Sequence, residues 1–470
     1  MKRQSEAQGA QEDGQRETRQ KMDSEAAAGS ASAAGQGPEV DGPFVAGTFA
    51  NEPAEEQIAR LLEKCSGQKP GFEHALLRRT QSLSEDIEGA ARNLLPANTP
   101  ALYPRKWAHG VTAPPKEGVE LKFMQFNVLA DGLSGEDPDK GGFNAVPPQS
   151  LNWQFRRLNL IREIFRQGVW PDIISMQEVD HYHDWFSPLL TQLGYAGEYL
   201  PKPNSPCKKT APHSGLEDGC ALFWRTDTVG MKQIETLNFN RHTDEGCPCP
   251  SGQKSNQVAI LAKLQVRGAA PVVVGVTHLL AEKTFEGERA RSYQMAELLD
   301  RLETFQLPCI VGLDMNAEPP ESPGAKYAAQ AYPLATSKPI NVHGTRSPLR
   351  SAYALALGAE PPWTTWKKRS GRGKQAEVSH TIDYVLISDH IACTRVLLPP
   401  SGARPPSLGF SLSRYPPSFS LYISNSPSLS CANRFLSATH ISRDTRRLTH
   451  TIERARETES ERRYGVCERE

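Results

Sequence analysis

The central part of the chain, from about residue 119 to residue 398, is predicted to fold as an α/β sandwich. Two observations support this prediction. From residue 120 onward, apolar runs of strand length alternate with segments of helical periodicity and with turn residues. Polar side chains recur at the points where these apolar runs end. Residues 1–54 and 399–470 show little patterning of either period, so they set the limits of the predicted domain.

Each element of the sandwich is predicted from its own pattern, taken in chain order. Residues 121–129 alternate as a strand does and end at the turn signal Asp131-Gly132. Residues 153–164 have helical periodicity, and residues 172–179 then form a buried strand with polar residues at its end. Further strands are predicted at residues 219–224, 257–261, 272–276, 309–313 and 380–386, and a helix carrying Tyr293, Met295, Leu298 and Leu299 precedes the strand at 309–313.

The segments on either side of the sandwich are predicted to hold little stable structure. Residues 1–54 are rich in Gln, Glu, Ala, Gly and Ser, so they cannot bury enough apolar surface to offset chain entropy and should form a disordered arm. Residues 55–118 are expected to be a linker with one short amphipathic helix around residues 55–62. Residues 399–470 are dominated by Ser, Pro and Arg, and they are predicted to be a low-complexity, disordered tail.

Composition limits the classes of partner and compartment. Lys and Arg total 54 and Asp and Glu also total 54, so no global field would draw the protein to nucleic acid or to an anionic membrane. The nine cysteines are odd in number and scattered, which favours free thiols in a reducing compartment. The first residues resemble neither a signal nor a transit peptide, and no window approaches the ~20 apolar residues of a membrane span. We therefore expect a cytoplasmic protein without a membrane span, leave a mitochondrial form open, and predict no specific protein partner.

Polar residues that end the predicted strands are the candidates for chemistry. They are Asn127, Glu178, His278, Asp314, Asn316 and Asp383. A carboxylate at the end of an apolar strand is costly to desolvate unless it is paired or binds a metal. Oxygen ligands without a Cys/His cage suit Mg²⁺, which prefers one or two carboxylates, waters and the oxygens of a substrate phosphate. Taken singly, each residue also has a structural interpretation as a satisfied carboxylate, a turn asparagine or a hydrogen-bonded core histidine. Their recurrence at strand ends favours a shared site.

The motifs around these residues resemble a known superfamily. The segments FNVLA (126–130), QEV (177–179), THL (277–279), GLDMN (312–316) and TIDY (381–384) are similar, in order, to the motifs of the endonuclease/exonuclease/phosphatase superfamily. Further segments, among them DHY (180–182), PKP (201–203), DGCALF (218–223) and PPWTTW (361–366), resemble its branch of nocturnins and poly(A) deadenylases. The resemblance covers residues 119–395. It implies a four-layer α/β sandwich with its site at one rim of two facing sheets.

The resemblance also implies a role for most of the candidate residues. Glu178, helped by Asn127, would hold Mg²⁺ against the substrate phosphate. Asp314 would take a proton from the attacking water, and Asn316 would fix its orientation. His278 would donate a hydrogen bond to a phosphate oxygen as charge develops on it.

One motif of the superfamily is not found where the resemblance requires it. Asp383 would orient a second catalytic histidine, carried by a Ser-Asp-His motif that begins the last strand. The triplet at residues 388–390 follows Asp383 too closely to be that motif, and His440 and His450 lie in the predicted tail. We therefore expect the chain to lack its last strand and one catalytic histidine. Loss of such a transition-state donor can lower the rate by about 10²–10³.

Two substrates are implied by the resemblance, and both present adenosine beside a phosphate. A nocturnin-like enzyme would remove the 2′-phosphate of NADP⁺ and NADPH, whereas a deadenylase would shorten the 3′ end of poly(A) RNA. Lys202 and Arg369 would contact phosphate and Trp366 would stack on adenine, although each also has an interpretation as a surface base or a core side chain. Nocturnins carry two bases, separated by one residue, after the THL motif, whereas here the first base after that motif is Lys283.

The function predicted from these observations is that of a Mg²⁺-dependent NADP(H) 2′-phosphatase. A 3′-exoribonuclease acting on poly(A) is the alternative within the same enzyme class. A catalytically impaired binding protein is the alternative from another class, because the last histidine motif is not found. The presence of Glu178, Asp314 and Asn316 argues against that third interpretation.

Overall fold

A computed structural model of the chain describes residues 53–66, 80–97, 99, 101–110, 118–135, 142–143, 148–166, 170–209, 216–239, 256–320, 322, 327–371, 374–400 and 418–423. The predicted disordered arm lies almost wholly outside the described residues, as does most of the predicted tail. The helices within the described residues are α1 (Ala54–Ser66), α2 (Thr80–Leu94), α3 (Pro148–Leu151), α4 (Trp153–Ile164), α5 (Ser187–Gln192), α6 (Phe285–Glu303), α7 (Ala331–Ser337) and α8 (Ala352–Leu357). None of these helices has the length and apolarity that a membrane crossing requires.

The strands of the described residues form two large sheets and two hairpins. They are β1 (Trp107–His109), β2 (Val119–Asn127), β3 (Ile173–Val179), β4 (Tyr195–Pro201), β5 (Gly219–Arg225), β6 (Val229–Asn238), β7 (Val258–Val266), β8 (Pro271–His278), β9 (Cys309–Asp314), β10 (Ile340–Val342), β11 (Thr345–Ser347), β12 (Arg350–Ser351), β13 (Thr365–Gly371), β14 (Lys374–His380), β15 (Asp383–Ile387), β16 (Ile391–Leu397) and β17 (Ser418–Ile423). The first sheet has the order β1-β16-β17-β2-β3-β5-β4, and the second has the order β12-β15-β9-β8-β7-β6.

The two sheets face each other, and each is covered by helices on its outer side. Apolar side chains from both sheets form one buried cluster, which includes Leu121, Phe123, Ile260, Val274, Val385 and Phe419. Helices α1, α2 and α4 share a second cluster with the outer face of the first sheet. Helix α6 packs against the outer face of the second sheet through Met295, Leu298, Leu299 and Leu302. The predicted four-layer α/β sandwich is therefore confirmed.

Local signals explain where the covering helices begin and how they dock. The Thr284 side chain accepts a hydrogen bond from the Gly287 backbone and so caps α6, whose first turn carries Glu286 and Glu288. Helix α1 covers the helix predicted around residues 55–62, but α2 was not predicted. Its Ile87, Ala90, Ala91 and Leu94 are buried at helical spacing. Strand β1 also lies in the segment that we predicted to be a linker.

The expected gap in the first sheet is not present, so that expectation was wrong. Strand β17 lies between β16 and β2 and pairs antiparallel with both. Its sequence alternates, and Phe419, Leu421 and Ile423 point into the core between the sheets. We missed this strand because six alternating residues are a weak signal inside a long segment rich in Ser and Pro. The other domain limits stay predictions.

Candidate active site

The strand ends of both sheets bring the predicted polar residues to one rim. Asn127 ends β2, Glu178 lies near the end of β3, and His278 and Asp314 end β8 and β9. Strands β2 and β3 are parallel neighbours, as are β8 and β9, so their carboxyl ends meet at the same edge. Asp383 begins β15 directly opposite Asp314 of the antiparallel β9. The topology therefore brings together residues that are up to 256 positions apart in the chain, from Asn127 to Asp383.

Three side chains at this rim are arranged so that they could hold a metal ion. Glu178, His278 and Asp314 each present a ligand atom, and these atoms lie within 4.8 Å of one another. The Nε2 atom of His278 is 3.6 Å from Oδ2 of Asp314 and 3.9 Å from Oε1 of Glu178. All three side chains are buried. Two carboxylates that approach each other away from water need a compensating positive charge, and a bound divalent cation would provide it.

Asn127 holds the two carboxylates together instead of facing the cluster with its oxygen. Its Nδ2 atom donates to Oε1 of Glu178 at 2.8 Å and to Oδ2 of Asp314 at 3.0 Å. Its Oδ1 atom accepts a hydrogen bond from the Leu129 backbone at 3.0 Å, which fixes the orientation of the amide. In this geometry the Asn127 amide bridges the two carboxylates, and its predicted role as a second metal ligand stays a prediction.

Asn316 connects the histidine of the cluster to one of its carboxylates. Its Nδ2 atom lies 3.0 Å from the carbonyl oxygen of Leu279 and 2.8 Å from Nε2 of His278, and its backbone N–H donates to Asp314 at 3.0 Å. Because the carbonyl must accept, the amide nitrogen is the donor, and this network assigns Nε2 of His278 as an acceptor. In this arrangement Nε2 of His278 accepts from Asn316, and the donation of a hydrogen bond from His278 to a phosphate oxygen stays a prediction.

The backbone at the rim adopts a conformation that residues other than glycine seldom take. Leu129, Glu178 and Asn316 have φ angles of 57°, 55° and 52°. The pairing of β3 with β5 also shifts register between Gln177 and Val179, so Glu178 occupies a bulge. A bulge turns one side chain away from the normal alternation, and here it turns that of Glu178 towards Asp314. Such local strain is typical of functional sites.

Asp383 is held by a residue of the first sheet and by a residue that precedes the β13–β14 hairpin. Its Oδ1 atom accepts from Nε2 of Gln125 at 3.3 Å, and its Oδ2 atom accepts from Oγ1 of Thr364 at 3.0 Å. The same Thr364 hydroxyl accepts from the backbone of Ile382 and Asp383. Sequence reasoning missed Gln125 and Thr364. Their signals were present, since Gln125 directly precedes the FNVLA motif and Thr364 lies within the PPWTTW motif.

The triplet at residues 388–390 lies at the opposite edge of the second sheet. Strand β15 runs from Asp383 to Ile387, so at about 3.3 Å per residue Ser388 is roughly 16 Å from the rim. The Ser388 hydroxyl accepts from the backbone of Cys309, which begins β9 at the end away from Asp314. This placement agrees with our prediction that the triplet is not the catalytic motif. Strand β17 carries no histidine either.

Lys202 comes to the border of the site, but it is not a surface base. It is 6% exposed, and its Nζ atom lies 2.6 Å from Oδ2 of Asp218. Burial alone would lower the pKa of Lys202, but the carboxylates of Asp218 and Glu178 outweigh burial and raise that pKa above its ordinary value. The side chain therefore stays an ammonium ion.

The other two predicted substrate contacts lie on the β13–β14 hairpin. Trp366 is half-buried, and its ring meets that of Trp363 edge-on at 5.2 Å between centroids. Thr364, at the base of the hairpin, contacts Asp383 and so connects the hairpin to the rim. The backbone of Arg369 pairs with Ala376, and its side chain lies outside the described part of the chain.

A base near the THL motif reaches the rim from the α6 side. Lys283 is exposed, and its Nζ atom donates to the carbonyl oxygen of Asn316 at 2.9 Å. Lys283 follows the THL motif at a greater distance than the bases that nocturnins carry. The structure nevertheless places its ammonium group next to a residue of the site.

A second buried network, which sequence reasoning missed, supports the ends of β2 and β3. Arg156 is fully buried and donates to the carbonyl oxygens of Val128 and Leu129 at 3.0 and 2.5 Å. His181 hydrogen-bonds Asp184 at 2.7 Å and lies 3.9 Å from Asp131. Burial opposes protonation of His181, but these carboxylates raise its pKa from 6.5 to about 9. The pattern of charged residues on the predicted helix did not indicate that the Arg156 side chain would be buried.

Comparison with known proteins agrees with this geometry. The structure resembles the solved catalytic domain of human Nocturnin with bound sulfate anion, with a TM-score of 0.50 and 28% sequence identity over 69% of this chain and 100% of that chain. The chain is also 34% identical to Nocturnin of Homo sapiens over 307 residues, which are 64% of this chain and 63% of that protein. It therefore spans less than two thirds of the length of that curated relative.

A more distant relative is a subunit of the CCR4-Not complex. The CCR4-Not complex 3′-5′-exoribonuclease subunit Ccr4 of Yarrowia lipolytica is 30% identical over 192 residues, which are 39% of this chain and 26% of that protein. Beyond these individual proteins, residues 124–420 match the endonuclease/exonuclease/phosphatase family, which is well over half of the chain. With the two facing sheets and the polar residues at their shared rim, this match shows that the chain belongs to the endonuclease/exonuclease/phosphatase family.

Proposed function

We propose that the protein is a Mg²⁺-dependent hydrolase that removes the 2′-phosphate of NADP⁺ and NADPH to give NAD⁺ and NADH. The observation that carries this proposal is the convergence of Glu178, His278 and Asp314 within 4.8 Å at the rim. The donor set fits the cation, because two buried carboxylates supply the oxygen ligands that Mg²⁺ prefers. The similarity to Nocturnin supports this enzyme class.

Each residue of the rim would contribute a defined step. Bound at Glu178, Mg²⁺ would supply Lewis acidity and neutralise charge on the phosphate. Asp314, oriented by Asn316 and Asn127, would accept a proton from the attacking water. The water oxygen would bond to phosphorus as the bond from phosphorus to the ribose 2′ oxygen breaks, and the ribose 2′ oxygen would take a proton from solvent water to leave as a hydroxyl group. His278 would contact a phosphate oxygen once substrate displaces its bond with Asn316.

Recognition of the substrate is assigned to three side chains and one further base. Lys202 would contact phosphate as a fixed cation, and Arg369 would contact it as a planar donor. Trp366 would stack on adenine, a contact that contributes about 1–3 kcal/mol per base. Lys283 is well placed to add positive charge, since its ammonium group already touches the Asn316 carbonyl.

The alternative substrate is the 3′ end of poly(A) RNA. It is supported by the similarity to an exoribonuclease subunit and by the shared adenosine–phosphate unit of the two substrates. The zero net charge disfavours it, because binding along a polyanion relies on a basic surface. A catalytically impaired binding protein is the remaining alternative. It is supported by the absence of a histidine from β17, the strand beside β2.

The compartment we propose is the cytoplasm, with a mitochondrial form left open. Cys207, Cys220, Cys309 and Cys393, whose side chains the structure describes, are buried free thiols. That state suits a reducing compartment. No protein partner is proposed.

The three functions are separated by one assay with two substrates. Purified protein is incubated with Mg²⁺ and either NADPH or oligo(A), beside a Glu178→Ala variant. Release of inorganic phosphate from NADPH alone is the result that we expect, and the variant should lose it. Release of AMP from oligo(A) would instead support the exoribonuclease, and no turnover of either substrate would support the binding protein.

A further inference from the structure

A buried polar cluster lies beside the rim, at the junction of β4 and β5. The carboxylate of Asp218 contacts Nζ of Lys202 at 2.6 Å, Oγ of Ser205 at 2.5 Å and Sγ of Cys207 at 3.6 Å. The backbone N–H of Asp218 donates in turn to Oγ of Ser205 at 2.9 Å, and the backbone N–H of Lys202 donates to the carbonyl oxygen of Asp218 at 2.9 Å. Together these contacts fix the position of Asp218 relative to Lys202.

The cluster shares a strand junction with Glu178. Gly219, the residue after Asp218, pairs with Pro201 of β4 on one side and with Val179 of β3 on the other. A Cβ atom at Gly219 would meet the carbonyl oxygen of Leu200 at 2.2 Å, so the backbones approach closely here. Lys202 follows Pro201 directly, and Glu178 precedes Val179 directly. The ammonium ion and the carboxylate are thus presented at the same edge of the first sheet by β4 and β3, the two strands that flank β5.

Asp218 is the member of the cluster whose negative charge balances the positive charge of Lys202. Asp218 is fully buried, whereas the thiol of Cys207 cannot share the negative charge because burial raises its pKa. A buried ammonium ion left without its carboxylate is strongly unfavourable. Lysine carries three N–H donors, and Asp218 takes one of them in this geometry. The remaining donors can serve a ligand while the pair stays intact.

We propose that Asp218 is a positioning residue, which holds the Lys202 ammonium group in place at the edge shared with Glu178 so that it meets the substrate phosphate without rearrangement. A free lysine side chain has rotamer entropy to lose on binding, and a lysine that is already fixed has lost it on folding. This inference rests on the proposed function, in which Lys202 contacts phosphate. Asp218 itself touches no substrate and acts through Lys202.

A double-mutant cycle tests whether Asp218 acts through Lys202. The variants are Lys202→Met, Asp218→Asn and the double variant, with Asp227→Asn as a matched control at the other end of β5, where Asp227 pairs with Arg225. Lys202→Met and Asp218→Asn should each lower kcat/KM for NADPH by about 10- to 100-fold, mainly through KM, as expected for loss of a charge-assisted contact. The double variant should be no worse than Lys202→Met alone. The control should stay within about threefold of the unmodified protein.

A purely structural role for Asp218 gives a different pattern. Asp218→Asn would then lower kcat at unchanged KM, as the folded fraction falls, and its effect would add to that of Lys202→Met. That result would overturn the inference. Thermal unfolding of all four variants shows whether the folded fraction has changed.

A binding measurement distinguishes failure of the proposed function from failure of this inference. If the unmodified protein turns over neither NADPH nor oligo(A), the proposed function fails, and the cycle is repeated with inorganic phosphate in isothermal titration calorimetry with Mg²⁺ present. The inference then expects each single variant to weaken phosphate binding about 10-fold or more, with no further loss in the double variant. Additive losses, or no binding of phosphate to the unmodified protein, would overturn it.

Discussion

At the scale of single residues, we expect the two carboxylates of the rim to oppose folding when no cation is bound. Glu178 and Asp314 both bond the same amide group of Asn127, so two buried carboxylates approach each other. We predict that Glu178→Gln removes this repulsion and raises the free energy of unfolding by about 1–2 kcal/mol without Mg²⁺, while abolishing hydrolysis. Added Mg²⁺ should stabilise the unmodified protein and leave the variant unchanged.

Urea unfolding is measured without the cation and with the cation at about 5 to 10 times its Kd. The Kd is taken from a titration of the unmodified protein. Glu198→Gln, on the edge strand β4, is the matched control and should respond to Mg²⁺ as the unmodified protein does. A Glu178→Gln protein that is less stable than the unmodified one without Mg²⁺ would show that the two carboxylates do not repel each other.

The histidine beside the rim makes stability depend on pH. Because the pKa of His181 is raised from 6.5 to about 9, its protonated form adds stability that is fully present below about pH 6.5 and is lost as pH rises through about 9. The contribution is on the order of 2–3 kcal/mol at full strength. We predict that His181→Gln lowers the free energy of unfolding at pH 7 and that the difference from the unmodified protein vanishes by about pH 10.

Urea unfolding at several pH values measures that difference. His109→Gln, an exposed histidine on β1, should give the same pH profile as the unmodified protein. A constant difference between His181→Gln and the unmodified protein across this pH range would contradict the prediction, because a neutral histidine would then account for the effect.

The sequence was sufficient to identify the residues of the rim but not their orientations. Strand-end polarity predicted Glu178, His278 and Asp314, since each ends an apolar run. The orientation of Asn127 depends on the hydrogen bond that its Oδ1 atom accepts from the Leu129 backbone, at a residue whose φ angle is 57°. Backbone angles of this kind arise from tertiary packing, so a pattern of residue types does not contain them.

At the scale of elements, β17 is the strand that the sequence concealed. It has β16 on one side and β2 on the other, and its apolar residues fill the space between the sheets. We predict that Leu421→Ala lowers the free energy of unfolding by about 2–5 kcal/mol, because it leaves a cavity at a fully buried position. Tyr422→Ala, on the opposite face and only half-buried, should cost clearly less.

Urea unfolding of the two variants decides whether β17 is part of the folded core. Equal, small losses would mean that the segment 418–423 does not occupy this place in the sheet. Strands such as β3 and β9 were predicted with ease, because their apolar runs are longer and lie between recognisable turns. In β17 three apolar residues alternate with Ser and Tyr, so composition outweighed pattern in the prediction.

At the scale of the whole molecule, the sequence predicted the layers but not the distance between them. Alternating strands and amphipathic helices imply which faces are apolar, as for Met295 and Leu298 on α6. How closely two sheets approach depends instead on single small residues. Ser175 and Gly312 meet across the core, where the serine hydroxyl donates to the glycine carbonyl at 3.0 Å.

This contact leads to a prediction for the sandwich as a unit. A Cβ atom at Gly312 would lie 2.5 Å from Oγ of Ser175 and 3.0 Å from the ring of Phe123, so Gly312→Ala must push the sheets apart. Gly312 is two residues before Asp314 on β9, and Ser175 is three residues before Glu178 on β3. We predict a loss of about 1–3 kcal/mol in the free energy of unfolding and at least a tenfold fall in kcat, because the two carboxylates belong to different sheets.

The matched control is Gly230→Ala on the edge strand β6, where the nearest atom to the added Cβ would be 4.0 Å away. It should be neutral or slightly stabilising, since alanine is less flexible than glycine in the unfolded chain. Urea unfolding gives the stability of both variants, and phosphate release from NADPH gives their activity. If Gly312→Ala matched Gly230→Ala in both measurements, the spacing of the sheets at Gly312 would not set the distance between Glu178 and Asp314. The protein would then stay active at a larger separation of Glu178 and Asp314 than a cation bound to both carboxylates allows.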